Sequence, residues 1–112
     1  MKNITWDNFK KIEIRVGTII ETIIFLDAKK PVYKLKIDLD EKIGIKKSSA
    51  QIRDLYSTKE LLGKQMIIVV NLIPKKIGQF ISECLITGFY IKNKNVILAI
   101  PDTNITNGAL LV

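Results

Sequence analysis

The chain has 112 residues, 47% of them hydrophobic, with one Cys, no His, and 18 Lys+Arg against 11 Asp+Glu for a net charge of +7. That length suits one domain with a self-sufficient core. The lack of His excludes Ser–His, Cys–His and His–zinc sites, and a lone Cys excludes an internal disulfide, so a reducing, cytoplasmic setting is expected. The excess charge is spread along the chain, 12 cations against 8 carboxylates in residues 1–56 and 6 against 3 in residues 57–112. It therefore belongs to a folded surface and favours polyanions. Sixteen of the 18 cations are Lys, suited to point contacts with phosphate more than to forked readout of bases. No secretory leader is expected, because Lys2, Asp7, Lys10 and Lys11 interrupt the first segment. The longest apolar run, Met66 to Val70, is far shorter than the ~20 residues of a membrane-spanning helix, so no membrane insertion is expected.

Thr5 is placed to cap a short helix over 6–11, with Ile4 and Phe9 as a hydrophobic staple and Asp7 in the favourable first turn. From Ile12 the period becomes two and predicts a long strand: Ile12, Ile14, Val16, Thr18 and Ile20 face one way, Glu13, Arg15, Gly17, Ile19 and Glu21 the other. Gly17 reads as a bend or bulge where the strand curves. Beyond it, Ile23, Ile24, Phe25 and Leu26 make both faces apolar. A polar turn over 27–31 leads to a second strand over 32–39, with Tyr33, Leu35, Ile37 and Leu39 inward and Lys34, Lys36 and Asp38 outward. A short third strand is expected over 43–46. Ser48 and Gln51 then form a capping-box pattern that predicts a helical turn, and Ser57 and Glu60 form a second, with Tyr56 and Leu61 as staple and Gly63 as stop.

A fourth strand is expected over 65–72. Lys75 and Lys76 follow Pro74 and precede Gly78, which predicts a hairpin with two cations at its tip. The fifth strand runs from Phe80 to Tyr90 or Ile91, with Phe80, Ser82 and Cys84 on one face and Ile81, Glu83 and Leu85 on the other. A turn at 93–95 leads to a last strand over 96–100. This order is that of an all-β, five-stranded OB barrel in a single domain, with a short N-terminal helix, short helices between strands three and four, and an extra C-terminal strand. Such barrels commonly bind oligonucleotides on one strand face and its flanking loops. A different small Greek-key barrel is the structural alternative.

Three basic groups stand out: Lys29, Lys30, Lys34 and Lys36; Lys46, Lys47 and Arg53; and Lys75 and Lys76. Gathered on one side of a barrel, they form a funnel for a phosphodiester backbone, with Phe80 as a base-stacking platform. Taken singly, each is solvated surface. Catalysis is not expected. Cys84 lies between Glu83 and Leu85, where no cation or helix N-terminus in sequence reach stabilises a thiolate, and the turn carboxylates Asp38, Asp40 and Glu41 supply too few oxygen ligands for a metal. No cofactor is expected.

The runs Glu13-Ile14-Arg15-Val16-Gly17-Thr18-Ile19, Gly44-Ile45-Lys46-Lys47-Ser48-Ser49-Ala50-Gln51-Ile52 and Asn71-Leu72-Ile73-Pro74-Lys75-Lys76 together resemble the tRNA-binding domain family, and the middle run most resembles its free-standing branch, the CsaA secretion chaperones. The resemblance implies an OB fold with added terminal elements, usually a homodimer, that binds tRNA structure or, in the chaperone branch, unfolded preproteins for the secretion machinery. By position it implies Arg15, Lys46, Ser48, Ser49, Gln51, Asn71, Lys75, Lys76 and Ser82 near the binding face. The wider family's His-Pro-x-Ala-Asp appears here as Phe25-Leu26-Asp27-Ala28-Lys29, and its Ser-Glu-Gly-Met as Ser82-Glu83-Cys84-Leu85. Both departures favour the chaperone branch. Three expectations follow: a homodimeric tRNA binder with an export-chaperone role, a preprotein-binding chaperone with little RNA role, and a generic single-strand binder.

Overall fold

The fold was obtained as a computed structural model that describes residues 1–25, 32–52, 55–92 and 95–112. The expected turn over 27–31, with Lys29 and Lys30, lies outside the described residues, as do Leu26, Arg53, Asp54 and the first two positions of the turn over 93–95. In chain order the elements are α1 (Trp6–Lys10), β1 (Ile14–Phe25), β2 (Val32–Asp38), β3 (Ile45–Ala50), α2 (Thr58–Leu61), β4 (Gln65–Val69), β5 (Lys75–Ile77), β6 (Phe80–Ser82), β7 (Leu85–Ile86), β8 (Gly88–Tyr90) and β9 (Val96–Leu98). The five-stranded antiparallel sheet runs β3-β2-β1-β4-β7, and β5–β6 and β8–β9 are separate two-stranded pairs. The sheet curls into a half-barrel of OB type, as expected.

The alternation of β2 works as the sequence predicts. Tyr33, Leu35, Ile37 and Leu39 are all buried, and they pack with Ile19, Met66, Ile68, Leu61, Cys84 and Leu98 in one core. Tyr33 also donates its hydroxyl to the Tyr56 carbonyl at 2.8 Å, and the Tyr56 hydroxyl accepts from the Leu98 amide at 3.1 Å, which closes the core with satisfied polar groups. The Ser57 box forms in full: its hydroxyl accepts from the Glu60 amide and the Glu60 carboxylate accepts from the Ser57 amide. Thr5 caps α1 by accepting from the Asn8 amide at 3.1 Å. That helix buries none of its residues, and Trp6 is 79% exposed.

Several expectations are corrected. Ser48 does not begin a helix. Residues 45–50 form β3, paired with β2 from Asp38↔Ile45 to Tyr33↔Ala50, because the ladder satisfies the backbone and the Ser48 hydroxyl is taken up by a distant carbonyl. The bulge in β1 lies between Ile19 and Glu21, not at Gly17. Gly17 is there for space: a Cβ on it would meet Ile37 Cγ2 at 2.5 Å and Leu39 Cδ2 at 2.8 Å. The long fifth strand is broken into β6, β7 and β8. The hairpin tip is Gly78 and Gln79, with Gly78 at φ +59°. Lys75 and Lys76 lie on the first arm, opposite Ser82 and Ile81, and not at the tip.

Past the end of β2, the C-terminal segment takes over the same edge of β1. The Val16 amide donates to the Ala109 carbonyl at 3.0 Å, and the Gly108 and Leu111 amides donate to the Val16 and Ile14 carbonyls at 2.7 and 2.8 Å. Over residues 14–19 the first strand is therefore covered along both edges.

Candidate nucleic-acid interface

The outward face of β1, β2 and β3 is built by strand register. Glu21 stands opposite Lys36, and Ile23 opposite Lys34. Lys36 stands opposite Lys47, and Lys34 opposite Ser49. Cross-strand partners share a face, so two lysines of β2 and one of β3 come together with a carboxylate among them. They line a pocket of about 280 Å³ whose walls are Glu21, Ile23, Lys34, Leu35, Lys36, Lys47 and Phe80.

The pocket has an aromatic floor. Phe25, Val32 and Phe80 form a small second cluster, separate from the main core. The two rings sit 6.2 Å apart at 50°. The Lys34 ammonium lies 4.0 Å from the Phe25 ring centre and 5.2 Å from that of Phe80, in cation–π contact with both. Phe80 is only 8% exposed, so it is a covered floor and not the open stacking platform that its place in the sequence suggested. The Lys36 ammonium pairs with the Glu21 carboxylate at 3.0 Å. Both side chains are about half exposed, so this pair adds little to stability.

The other expected site residues divide by what already holds them. Arg15 donates to the Glu13 carboxylate at 2.6 Å and to the Gly108 carbonyl at 2.7 Å, so its guanidinium anchors the C-terminal segment. Asn71 accepts from the Glu13 amide at 2.8 Å and donates to the Lys11 carbonyl at 2.6 Å, tying the end of β4 to the chain entering β1. Ser48 is 1% exposed and donates to the Cys84 carbonyl at 2.8 Å, and Ser82 donates to the same carbonyl at 3.3 Å. The Ser48 hydroxyl joins β3 to the segment between β6 and β7, and the Ser82 hydroxyl ties that segment to the end of β6. Lys46 lies on the Ser48 side of β3, away from Lys47. Gln51, Lys75 and Lys76 are exposed. Arg53 lies outside the described residues.

Burial pushes the Cys84 thiol up to about 11; the Ser48 hydrogen bond pulls it down, the Glu83 charge pushes it up further, and Lys46 pulls it down. The thiolate, the reactive form, is suppressed at neutral pH. Among the described residues no group of three or more His, Cys, Asp and Glu is gathered as a metal site.

Sequence reasoning missed Glu21 and Ile23 as pocket walls and Phe25 as the ring packed against Phe80. The signal available was their own alternation, Glu21, Ile23, Phe25, but the bulge at Ile20 shifts the facing of everything after it, and no local pattern announces a bulge.

The family model described as "Putative tRNA binding domain" matches residues 14–110. The methionine–tRNA ligase of Leptospira biflexa is 38% identical over 108 residues, covering 96% of this chain and 15% of that protein. That of Pyrococcus horikoshii is 34% identical over 109 residues, covering 97% of this chain and 14% of that protein. The chain thus spans about one-seventh of the length of these curated relatives. Among solved structures, the CsaA chaperone protein from Picrophilus torridus superposes with a TM-score of 0.90 at 46% identity, covering 98% of this chain and 100% of that one. Chaperone CsaA from Bacillus anthracis superposes with a TM-score of 0.93 at 32% identity, covering 99% and 100%. The matched span begins with β1 and ends where residues 108–110 close its edge, so the shared unit is the whole curled sheet, and the chain belongs to the tRNA-binding domain family.

Proposed function

We infer that the chain is a non-catalytic, cytoplasmic tRNA-binding protein that acts as a homodimer and presents the outward face of β1–β3 to the sugar–phosphate backbone. The observation that carries this reading is the convergence of Lys34, Lys36 and Lys47 on one pocket of an OB-type sheet. Lys75 on β5, which shares a face with Phe80, extends the proposed face together with Ser49 and Gln51 on and beside β3, while Lys76 points to the other side of the β5–β6 pair. Dimer formation is supported by α1, which leaves Trp6 uncovered, and by the exposed apolar residues Ile73, Leu110, Leu111 and Val112. Its test is the mass in solution, twice that of the chain.

Binding of this kind releases counterions, and each phosphate contact contributes about 0.7–0.9 to the slope of log affinity against log salt. Titrating folded tRNA across a range of salt should give a steep slope. The triple variant Lys34→Ala, Lys36→Ala, Lys47→Ala should lower it by about 2 to 3. An unchanged slope in that variant removes the pocket face from the site.

A second reading, a chaperone that holds unfolded preproteins for the secretion machinery, is favoured by the likeness to two solved proteins named as CsaA chaperones and by the aromatic floor of the pocket. It predicts that an apolar, basic peptide binds with weak salt dependence and a fall in heat capacity. Generic single-strand binding predicts that unstructured oligonucleotides outcompete folded tRNA.

A further inference from the structure

The pocket holds one feature that backbone binding does not need. Glu21 puts a negative charge among three lysines, where it repels phosphate. Lys36 takes one carboxylate oxygen, Oε2, which leaves the other directed at no cation among the described residues. A carboxylate there is an acceptor for the amino group of a base edge. The floor beneath is Phe80, packed against Phe25, with the Lys34 ammonium over both rings. The volume, about 280 Å³, lies just below the roughly 300–1,000 Å³ typical of ligand pockets. That suits one flat ring and excludes a folded stem.

We propose that this pocket seats a single unpaired nucleotide of the bound RNA, with its phosphate drawing Lys34 and Lys47, its base on the ring uncovered when Lys34 moves, and its exocyclic amine donating to Glu21. Lys34 thus exchanges one partner for another. Without RNA its charge rests on the two aromatic faces; with RNA it pairs with a phosphate, and a base takes its place on the ring, since every base has a face to stack. The carboxylate accepts from cytosine N4 or adenine N6. Uracil has no exocyclic amine and offers carbonyl oxygens there, which a carboxylate repels. This assignment rests on the RNA-binding reading above and adds base selection to it.

The test uses the full-length protein and fluorescent tetranucleotides of cytidine and of uridine, at one low salt concentration, with folded tRNA as reference. The wild type should bind the cytidine probe about fivefold more tightly, the lower part of the range for a single base-edge contact because Glu21 is half exposed. Glu21→Gln offers a donor as well as an acceptor and should abolish that preference, while removal of a charge that repels phosphate should tighten both tetranucleotides and tRNA. Phe80→Leu should weaken both tetranucleotides by about tenfold through loss of stacking. Because that residue is buried, Glu21→Gln, on the surface, is the deciding variant if Phe80→Leu melts early. Equal binding of the two tetranucleotides by the wild type, or an unchanged preference in Glu21→Gln, overturns the nucleotide subsite while tRNA binding stands. Failure of the wild type to bind tRNA and both probes overturns the RNA-binding reading itself. Displacement of the probes by an apolar basic peptide, if Phe80→Leu abolishes it and Glu21→Gln leaves it intact, assigns the floor to peptide and overturns the subsite.

Discussion

The Ser48 hydroxyl donates to the Cys84 carbonyl at 2.8 Å, across the gap between β3 and the break that separates β6 from β7. The Ser82 hydroxyl reaches the same carbonyl at 3.3 Å. The Ser48 bond is one of those that fasten the end of the β5–β6 hairpin to β3, beside the Glu83 amide donating to the Lys47 carbonyl at 2.7 Å and the Lys47 amide donating to the Glu83 carboxylate at 2.9 Å. Ser48→Ala should therefore cost about 1–2 kcal/mol in urea unfolding, because it removes the shorter bond at a fully buried position. Ser82→Ala should cost less, about 0.5 kcal/mol, since its bond is longer and its side chain half buried. No loss in Ser48→Ala would show that the Glu83–Lys47 bonds hold the hairpin without it.

The Cys84 thiol stands at about 11 against an ordinary 9.0. Below pH 9 the folded and unfolded chains both keep the proton. Between pH 9 and 11 the unfolded chain releases it and the folded one does not, so stability falls as pH rises, by about 2 kcal/mol across that window. The measurement is the stability difference between wild type and Cys84→Ala, which isolates the thiol. The wild-type advantage should shrink from pH 9 to 11; a difference that stays flat contradicts the burial of the thiol.

Gly17→Ala should destabilise by about 2–3 kcal/mol, as overpacking of a filled core does. The added methyl meets Ile37 and Leu39 side chains at 2.5 and 2.8 Å, with the Asp38 carbonyl at 3.2 Å. Thermal unfolding at fixed protein concentration measures it. A neutral substitution would mean that β1 and β2 can separate at this crossing without loss.

Asn71→Ala removes both bonds that the side chain makes to the chain entering β1, and it should destabilise by about 1 kcal/mol. The Glu13 amide should then exchange its hydrogen faster. Asn71→Asp keeps the acceptor for that amide and loses the donor to Lys11, so its Glu13 exchange should stay closer to wild type than that of Asn71→Ala. Identical exchange in both variants would show that the acceptor bond contributes nothing.

Much of the fold is local chemistry. The alternation of Tyr33, Leu35, Ile37 and Leu39 predicts both a strand and its buried face, and the structure buries all four. The caps at Thr5 and Ser57 are also local, since a hydroxyl three residues before a free amide can find it without the rest of the chain. Ser48 carries the same local signal and does something else. Its hydroxyl meets a carbonyl 36 positions away, and once β2 offers a ladder to β3, the sheet outweighs one turn of helix.

The gathering of charge is of the second kind. Eighteen cations announce an appetite for polyanions, and the two-residue spacing of Lys34 and Lys36 puts them on one face, yet nothing in the spacing says that Lys47 would join them in a pocket while Arg15 holds the C-terminal segment. Facing along a strand follows from the two-residue period of the extended backbone and can be counted along the chain. Register between strands, and the extra residue at Ile20 that resets it, depend on contacts between distant segments. Only the folded sheet brings Glu21 opposite Lys36 and lays Lys34 across Phe25 and Phe80.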